Sequence, residues 1–230
     1  MSTLHTTSHT ASIEAWKQLQ KGIAKICQDM CRPVEEVQLI AVSKTVSADN
    51  IVPLLQVGHS SFAENRVQEA TEKWPLLRQQ FDFIELHLIG PLQSNKTAQA
   101  VKIFDVIQTV DREKIAECLA KEMQKQKKYL PCYVQVNIGL EPQKSGIEPQ
   151  EVIPFISQCK NQYGLDIIGL MAIPPAHENP GPYFALLAKL AKKANLPKIS
   201  MGMSNDFEIA LQFGSNVLRI GSALFGKRST

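Results

Sequence analysis

The sequence predicts a (β/α)8 TIM barrel, an α/β fold in a single domain, with an extra helix ahead of the first strand. Three observations carry that expectation. Short apolar runs alternate strictly with longer amphipathic stretches, which selects the βα class. Eight such runs can be counted, and eight units select a closed barrel over an open sheet. Several runs are apolar at nearly every position, as strands covered on both faces are. The length of 230 residues suits such a barrel as one unit, and no linker divides it.

Residues 1–11 read as a flexible N-terminus and residues 12–230 as the barrel domain. Ile13, Trp16, Ile23, Ile26 and Met30 recur at three- to four-residue steps or their multiples, with Ser12 as cap and Pro33 as stop. Strands follow at 38–43 (QLIAVS), 61–63 (SFA), 83–89 (FIELHLI) and 105–109 (DVIQT). The remaining ones fall at 132–138 (CYVQVNI), 166–173 (DIIGLMAI), 198–201 (KISM) and 216–220 (NVLRI). Helices are expected near 48–56, 66–79, 95–102, 112–127, 149–161, 182–194 and 206–213. Asp111 should cap the helix over 112–127 and Pro131 should stop it. Within that helix the Lys-rich run 121–128 (KEMQKQKK) reads as a solvated face, with Glu117 supporting Lys121 at i,i+4. The Pro-rich stretch 174–182 (PPAHENPGP) follows the sixth strand and reads as a loop on the active face.

Composition excludes several function classes. With 44% hydrophobic and 20% charged residues, the chain can bury a substantial core. Lys and Arg number 25 against 22 Asp and Glu, and a net +3 argues for no nucleic-acid or membrane partner. The opening MSTLHTTSHTAS has neither a basic start nor an apolar core, and no apolar run could span a bilayer. Cys27, Cys31, Cys118, Cys132 and Cys159 are odd in number and form no C-x-x-C pair, so they read as reduced thiols. The expectation is a cytoplasmic monomer. No metal is expected, since His87 lies within a strand and His177 on the Pro-rich loop, without a cluster of carboxylates.

In a (β/α)8 barrel the chemistry sits at the C-terminal ends of the strands. Lys44 ends the first strand, directly after LIAVS. A partly desolvated lysine reaches its neutral amine form more easily and can then attack an aldehyde. A lysine snorkelling at a strand end is the alternative, and position alone does not separate the two. Barrels often bind phosphate on the loops after strands seven and eight. Here those loops read Met201-Gly202-Met203-Ser204-Asn205-Asp206 and Arg219-Ile220-Gly221-Ser222. Ser204 could cap the following helix or offer its hydroxyl to phosphate. Gly221 allows close backbone approach, and Ser222 adds a second hydroxyl. A Schiff-base lysine facing a phosphate cup fits either a pyridoxal 5′-phosphate (PLP) site or a sugar-phosphate aldolase. Arg219, if it points into the barrel as Gly221 would, could face the cofactor ring, where it donates but cannot accept the ring proton. Its alternative is a buried ion pair with Asp206 or Glu64.

The motifs AVSK (41–44), ENRVQEA (64–70), HLIGPLQSNK (87–96), KSG (144–146), GLMAI (169–173), SMGMSND (200–206) and RIGSALFG (219–226) resemble the PLP homeostasis family (YggS/PROSC). That family is itself similar to the barrel domain of alanine racemase. The resemblance implies PLP on Lys44, Asn65 near the cofactor, Ser204, Gly221 and Ser222 at the phosphate, and Arg219 near the pyridine nitrogen. It gives Gln93, Asn95 and Lys96 a supporting role, with Ser94 capping and surface polarity as the alternative. Two residues depart from the pattern: Ala63 stands where the family has glycine, and the C-terminus, Gly226 to Thr230, lacks the usual aromatic residue.

The implied function is PLP homeostasis, buffering or delivering the cofactor through a Schiff base on Lys44, without catalysis. Its partners would be PLP and related B6 vitamers, with apo-PLP enzymes as recipients. The rivals are a PLP-dependent amino-acid racemase and a Schiff-base aldolase. Racemisation needs acid/base groups on both faces of the substrate. The chain ends after the eighth barrel unit, so the expectation is that no second domain supplies the other base. An aldolase would keep the lysine and phosphate cup and carry no chromophore.

Overall fold

The apolar runs pair edge to edge in the order in which the chain presents them. The computed structural model describes residues 2–226 along the backbone, with side chains from residue 10 onward. Helix α1 (Ser2–Asp29) leads into β1 (Gln38–Val42), α2 (Ala48–Gln56), β2 (Ser61–Glu64) and α3 (Val67–Arg78). Next come β3 (Glu85–Leu88), α4 (Thr97–Ile103), β4 (Val106–Val110), α5 (Glu113–Gln126) and β5 (Cys132–Val136). The last units are α6 (Val152–Asn161), β6 (Ile167–Ala172), α7 (Gly181–Lys193), β7 (Lys198–Ser200), α8 (Phe207–Gln212), β8 (Val217–Ile220) and α9 (Ser222–Phe225). Among the described residues eight parallel strands close into a barrel, β8 returning to β1 with Gln38 opposite Val217 and Ala41 opposite Ile220. Every strand begins and ends within two residues of its expected place.

Alternation along the strands sorts side chains between two cores. Leu39 and Ala41 face outward into the layer between sheet and helices, while Ile40 and Val42 face the barrel interior. Ala63, Val106, Tyr133, Met171 and Val217 join them there. The alanine that replaces the family's glycine is therefore fully buried inside the barrel, and its carbonyl still accepts the Ser43 N–H at 3.0 Å. Lys227 to Thr230, where the family's aromatic residue is missing, lie outside the described residues.

Several terminal signals act differently from the sequence reading. Helix α1 begins at Ser2, so Ser12 lies inside it and is not its cap. Extending a nucleated helix costs little per residue, and Ser and Thr lower it only modestly. The helix closes before Pro33: Cys31 turns left-handed (φ 52°) and the Arg32 N–H reaches back to the Cys27 carbonyl at 2.9 Å. Helix α5 stops the same way, with Lys127 left-handed and the Lys128 N–H on the Met123 carbonyl at 3.0 Å. Pro131 plays no part in that stop. Nor does Asp111 cap α5, whose cap position is Arg112. Asp111 is buried, and its Oδ1 accepts from Arg112 Nη1 at 2.6 Å. Glu117 does pair with Lys121, at 2.6 Å.

Helix α1 buries Leu19, Ile23 and Cys27 and packs across α2, α8 and α9. Trp16 Nε1 donates to His59 Nδ1 at 3.3 Å, and His59 Nε2 donates in turn to the Ser61 carbonyl at 2.8 Å. Burial pushes the His59 imidazole down to about 4. Among the described residues no helix is long and apolar enough to cross a membrane.

Candidate functional site

A cavity of about 1430 Å³ opens at the C-terminal ends of the strands, the face on which barrels carry their chemistry. Lys44, Asn65, Ser204, Arg219, Gly221 and Ser222 all line it. The fold therefore brings these six residues to one cavity. The Pro-rich loop contributes Pro174, Pro175, Ala176, Glu178 and Pro180, and α1 adds Ala11, Ser12 and Ala15 at the rim.

Lys44 follows β1 and continues the inward side of Ile40 and Val42. It is half-buried, and its two neighbours are held from behind by a cluster of charges. Lys73 Nζ donates to the Ser43 carbonyl at 2.9 Å, to Glu64 Oε1 at 2.9 Å and to Glu69 Oε1 at 2.8 Å. The Thr45 N–H donates to Glu69 Oε1 at 2.6 Å. Ser43 Oγ and Trp74 Nε1 complete the shell of Glu64 Oε1, at 2.8 and 3.1 Å. Burial pushes the Glu64 carboxyl up, and the Lys73 ammonium opposes that shift. Glu64 thus faces α3 and is unavailable to Arg219. This cluster is not evident in the sequence. Its only signal was the i,i+4 spacing of Glu69 and Lys73, which looks the same on an exposed helix.

Asn65 follows β2, and its Oδ1 is buried without a hydrogen-bond partner. Its backbone is pressed against Gly90, where an added Cβ would fall 2.0 Å from the Asn65 carbonyl oxygen. Glycine at 90 is what lets the ends of β2 and β3 approach so closely.

The loops after β7 and β8 are tied to each other. The Arg219 N–H donates to the Gly202 carbonyl at 3.0 Å, and Ser204 Oγ accepts the Ala223 N–H at 3.2 Å. Ser204 therefore caps nothing on α8, whose first turn follows Asp206; it bridges to the turn that Gly221 and Ser222 begin. Gly202 sits at φ 94°, and a Cβ there would meet Ala210 at 2.6 Å, so only glycine fits. At Gly221 a Cβ would meet Val42 at an ordinary 3.4 Å, so contacts within the chain do not demand glycine.

Arg219 is buried and points inward. Its Nη1 donates to Ser200 Oγ at 2.7 Å and its Nη2 to the Ala172 carbonyl at 2.9 Å, neither of them a carboxylate. Burial lowers the guanidinium to about 10, with the Asp206 charge opposing the shift, so it remains a cation at neutral pH. Lys144 lines the cavity on the far side, its Nζ donating to the Pro174 carbonyl at 3.1 Å and pairing with Glu141. Gln93, Asn95 and Lys96 lie at the start of α4 and do not line the cavity; Ser94 makes no side-chain cap and instead accepts Thr97 Oγ1 on its carbonyl at 2.8 Å. His87 is buried in hydrogen bonds inside the barrel, and His177 is exposed on its loop.

The chain is similar to known proteins over most of its length. The alanine racemase N-terminal domain family matches residues 17–229. The pyridoxal phosphate homeostasis protein of Pasteurella multocida is 40% identical over 221 residues, covering 92% of this chain and 95% of that protein. Its namesake in Aquifex aeolicus is 34% identical over 224 residues, covering 94% and 97%. PipY of Synechococcus elongatus, solved with PLP bound, superposes with a TM-score of 0.76 at 33% identity, covering 89% of this chain and all of that one (100%). Alanine racemase of Clostridium difficile shares the fold at a TM-score of 0.72 and 14% identity, over 97% of this chain and 57% of that one. The chain belongs to the pyridoxal phosphate homeostasis protein family, a branch of the alanine racemase N-terminal barrels.

Proposed function

We propose that the chain binds PLP in this cavity, attached through Lys44, and that it buffers or delivers the cofactor in the cytoplasm without turning over a substrate. The observation that carries the reading is the cavity's composition, a lysine on one wall and the two serine-bearing turns after β7 and β8 on another. The PLP-bound relative PipY and the names of the other relatives support it. When bound, PLP supplies an aldehyde that captures a primary amine reversibly and a ring that withdraws electrons from it.

The donor set fits that group. Ser204 and Ser222 offer hydroxyls to a phosphate, and Gly221 leaves its backbone open beside them. Arg219 offers a donor to the ring nitrogen and no place for its proton, which keeps the ring a weak electron sink. The orphaned Asn65 Oδ1 is the kind of buried polar atom that a ligand completes. The protein would act as a monomer, with apo-PLP enzymes receiving its cargo and other B6 vitamers as weaker ligands.

Mixing purified protein with PLP tests the proposal. A yellow complex should form, and borohydride reduction should fix the cofactor's mass to Lys44 in a peptide map. Protein that stays colourless overturns the reading, whereas label on another lysine overturns only the assignment to Lys44.

A further inference from the structure

Arg219 carries a charge in the barrel interior, yet the two groups that hold it are neutral. Burying a guanidinium in that way is costly, and the Asp206 charge offsets only part of that cost, since burial still wins. From Ser200 the hydrogen bonds continue across the barrel. Ser200 Oγ donates to Gln108 Oε1 at 2.6 Å, Gln108 Nε2 donates to His87 Nδ1 at 3.0 Å, and His87 Nε2 donates to Glu85 Oε1 at 2.6 Å. Ser200, Gln108 and His87 are buried, while the Glu85 side chain is 43% exposed. Glu85 opens β3 at one end of the barrel, and Arg219 lies near the close of β8 at the other.

The direction of the chain is set by its ends. A carboxylate can only accept, so the nitrogen of His87 that meets Glu85 carries the proton. The Gln108 amide nitrogen facing His87 Nδ1 can only donate, so Nδ1 accepts, and the amide carbonyl is turned toward Ser200. The Ser200 proton is thereby committed to Gln108, and its lone pair is left facing Arg219. Every donor points from the cation toward the anion, and aligned hydrogen bonds of this kind polarise one another.

We infer that Ser200, Gln108, His87 and Glu85 are positioning residues that hold the Arg219 guanidinium toward the cavity, as a relayed ion pair spanning the barrel. Glu85 thus acts on a group it does not touch. The consequence for bound PLP, a fixed donor at its ring nitrogen, rests on the function proposed above.

Two measurements test the relay. In cofactor-free protein labelled with 15N, Glu85→Gln should shift the Arg219 guanidinium resonances and speed their exchange with solvent. Unchanged Arg219 signals in folded Glu85→Gln protein overturn the inference. In PLP titrations, Glu85→Gln should weaken binding roughly two- to a hundredfold, the coupling usual within one hydrogen-bond network. The same substitution added to Ser200→Ala, where the relay is already cut, should weaken it no further. Equal weakening in both backgrounds means that Glu85 acts independently, and it also overturns the inference. A wild-type protein that takes up no PLP would instead remove the proposed function, leaving the resonance experiment to decide the relay.

Discussion

Glu69 Oε1 accepts the backbone N–H of Thr45 at 2.6 Å, and Thr45, the residue after Lys44, holds φ at 64°. A β-branched residue in the left-handed region is strained by about 1–3 kcal/mol, so something must hold it there. Glu69→Ala should release the turn and weaken PLP uptake about tenfold, the equivalent of ~1.4 kcal/mol of that strain. Adding Thr45→Gly should restore uptake, because glycine enters this conformation freely. Titration of PLP into the single and double variants is the check. A double variant no better than Glu69→Ala would mean that Glu69 works through Lys73 instead.

Ser204→Ala should weaken PLP retention by roughly ten- to a hundredfold, as the loss of a hydrogen bond of ~1.5–3 kcal/mol to a charged group implies. Pyridoxal, which lacks the phosphate, should bind more weakly to the wild type and hardly respond to the substitution. Equal losses for both ligands would reduce Ser204 to its bridge to Ala223.

His59 predicts an acid sensitivity of the join between α1 and the barrel. Its pKa is about 4 in the folded protein against 6.5 unperturbed. Above pH 6.5 the ring is neutral in both states and its contribution is fully present. As pH falls from 6.5 toward 4, the unfolded chain gains a proton that the folded chain refuses, and about 3 kcal/mol of stability drains away. Protonation at Nδ1 would also displace the Trp16 donor. In His59→Phe the gap between melting temperatures at pH 7 and pH 4.5 should narrow; an unchanged gap would assign the acid sensitivity to other groups.

Lys144 offers a second amine at the cavity, on a loop stapled by Asn137 Nδ2 to the Glu141 carbonyl at 2.9 Å. A transient role in loading or release predicts that Lys144→Ala keeps PLP affinity and slows transfer to an apo-enzyme. Stopped-flow transfer rates equal to wild type would leave Lys144 as a wall residue.

A carrier should not invert amino acids. Incubating the PLP complex with each common L-amino acid in deuterated water should give no efficient formation of the D-isomer. Slow exchange of the α-proton without inversion is compatible with a single base at Lys44. Efficient inversion that Lys44→Ala abolishes would make the protein an enzyme.

The barrel was legible because its signals are local and repeated: QLIAV, CYVQV and IIGLMA are too apolar to be anything but strands buried on both faces. The placing of Lys44, Ser204 and Gly221 around one cavity was legible because the barrel gathers its strand ends on one face, and strand ends can be found by counting. The C-terminal ends of α1 and α5 lie where expected, but their stops were assigned to Pro33 and Pro131 where a left-handed Cys31 and Lys127 do the work, since most L-residues avoid that conformation and no composition rule flags the exceptions. What lay beyond reach were partnerships across long stretches of chain. Lys73 reaches Ser43, and Ser200 reaches Gln108, and nothing in either segment announces the other. Arg219 shows the limit most clearly. Its inward direction followed from alternation, but its partners turned out to be neutral oxygens, not the carboxylates of Asp206 or Glu64.

The contact between Gly90 and Asn65 gives the cavity an adjustable gauge. With only 2.0 Å between a virtual Cβ and the Asn65 carbonyl oxygen, two strand ends touch with nothing interposed. Any side chain grafted at 90 would act as a shim, its Cβ alone forcing the Asn65 backbone away and further atoms adding to the gap. A graded series of Ala, Ser and Val at that position would convert a fixed spacing into a dial, and the ligand grip of the mouth could be read against its width.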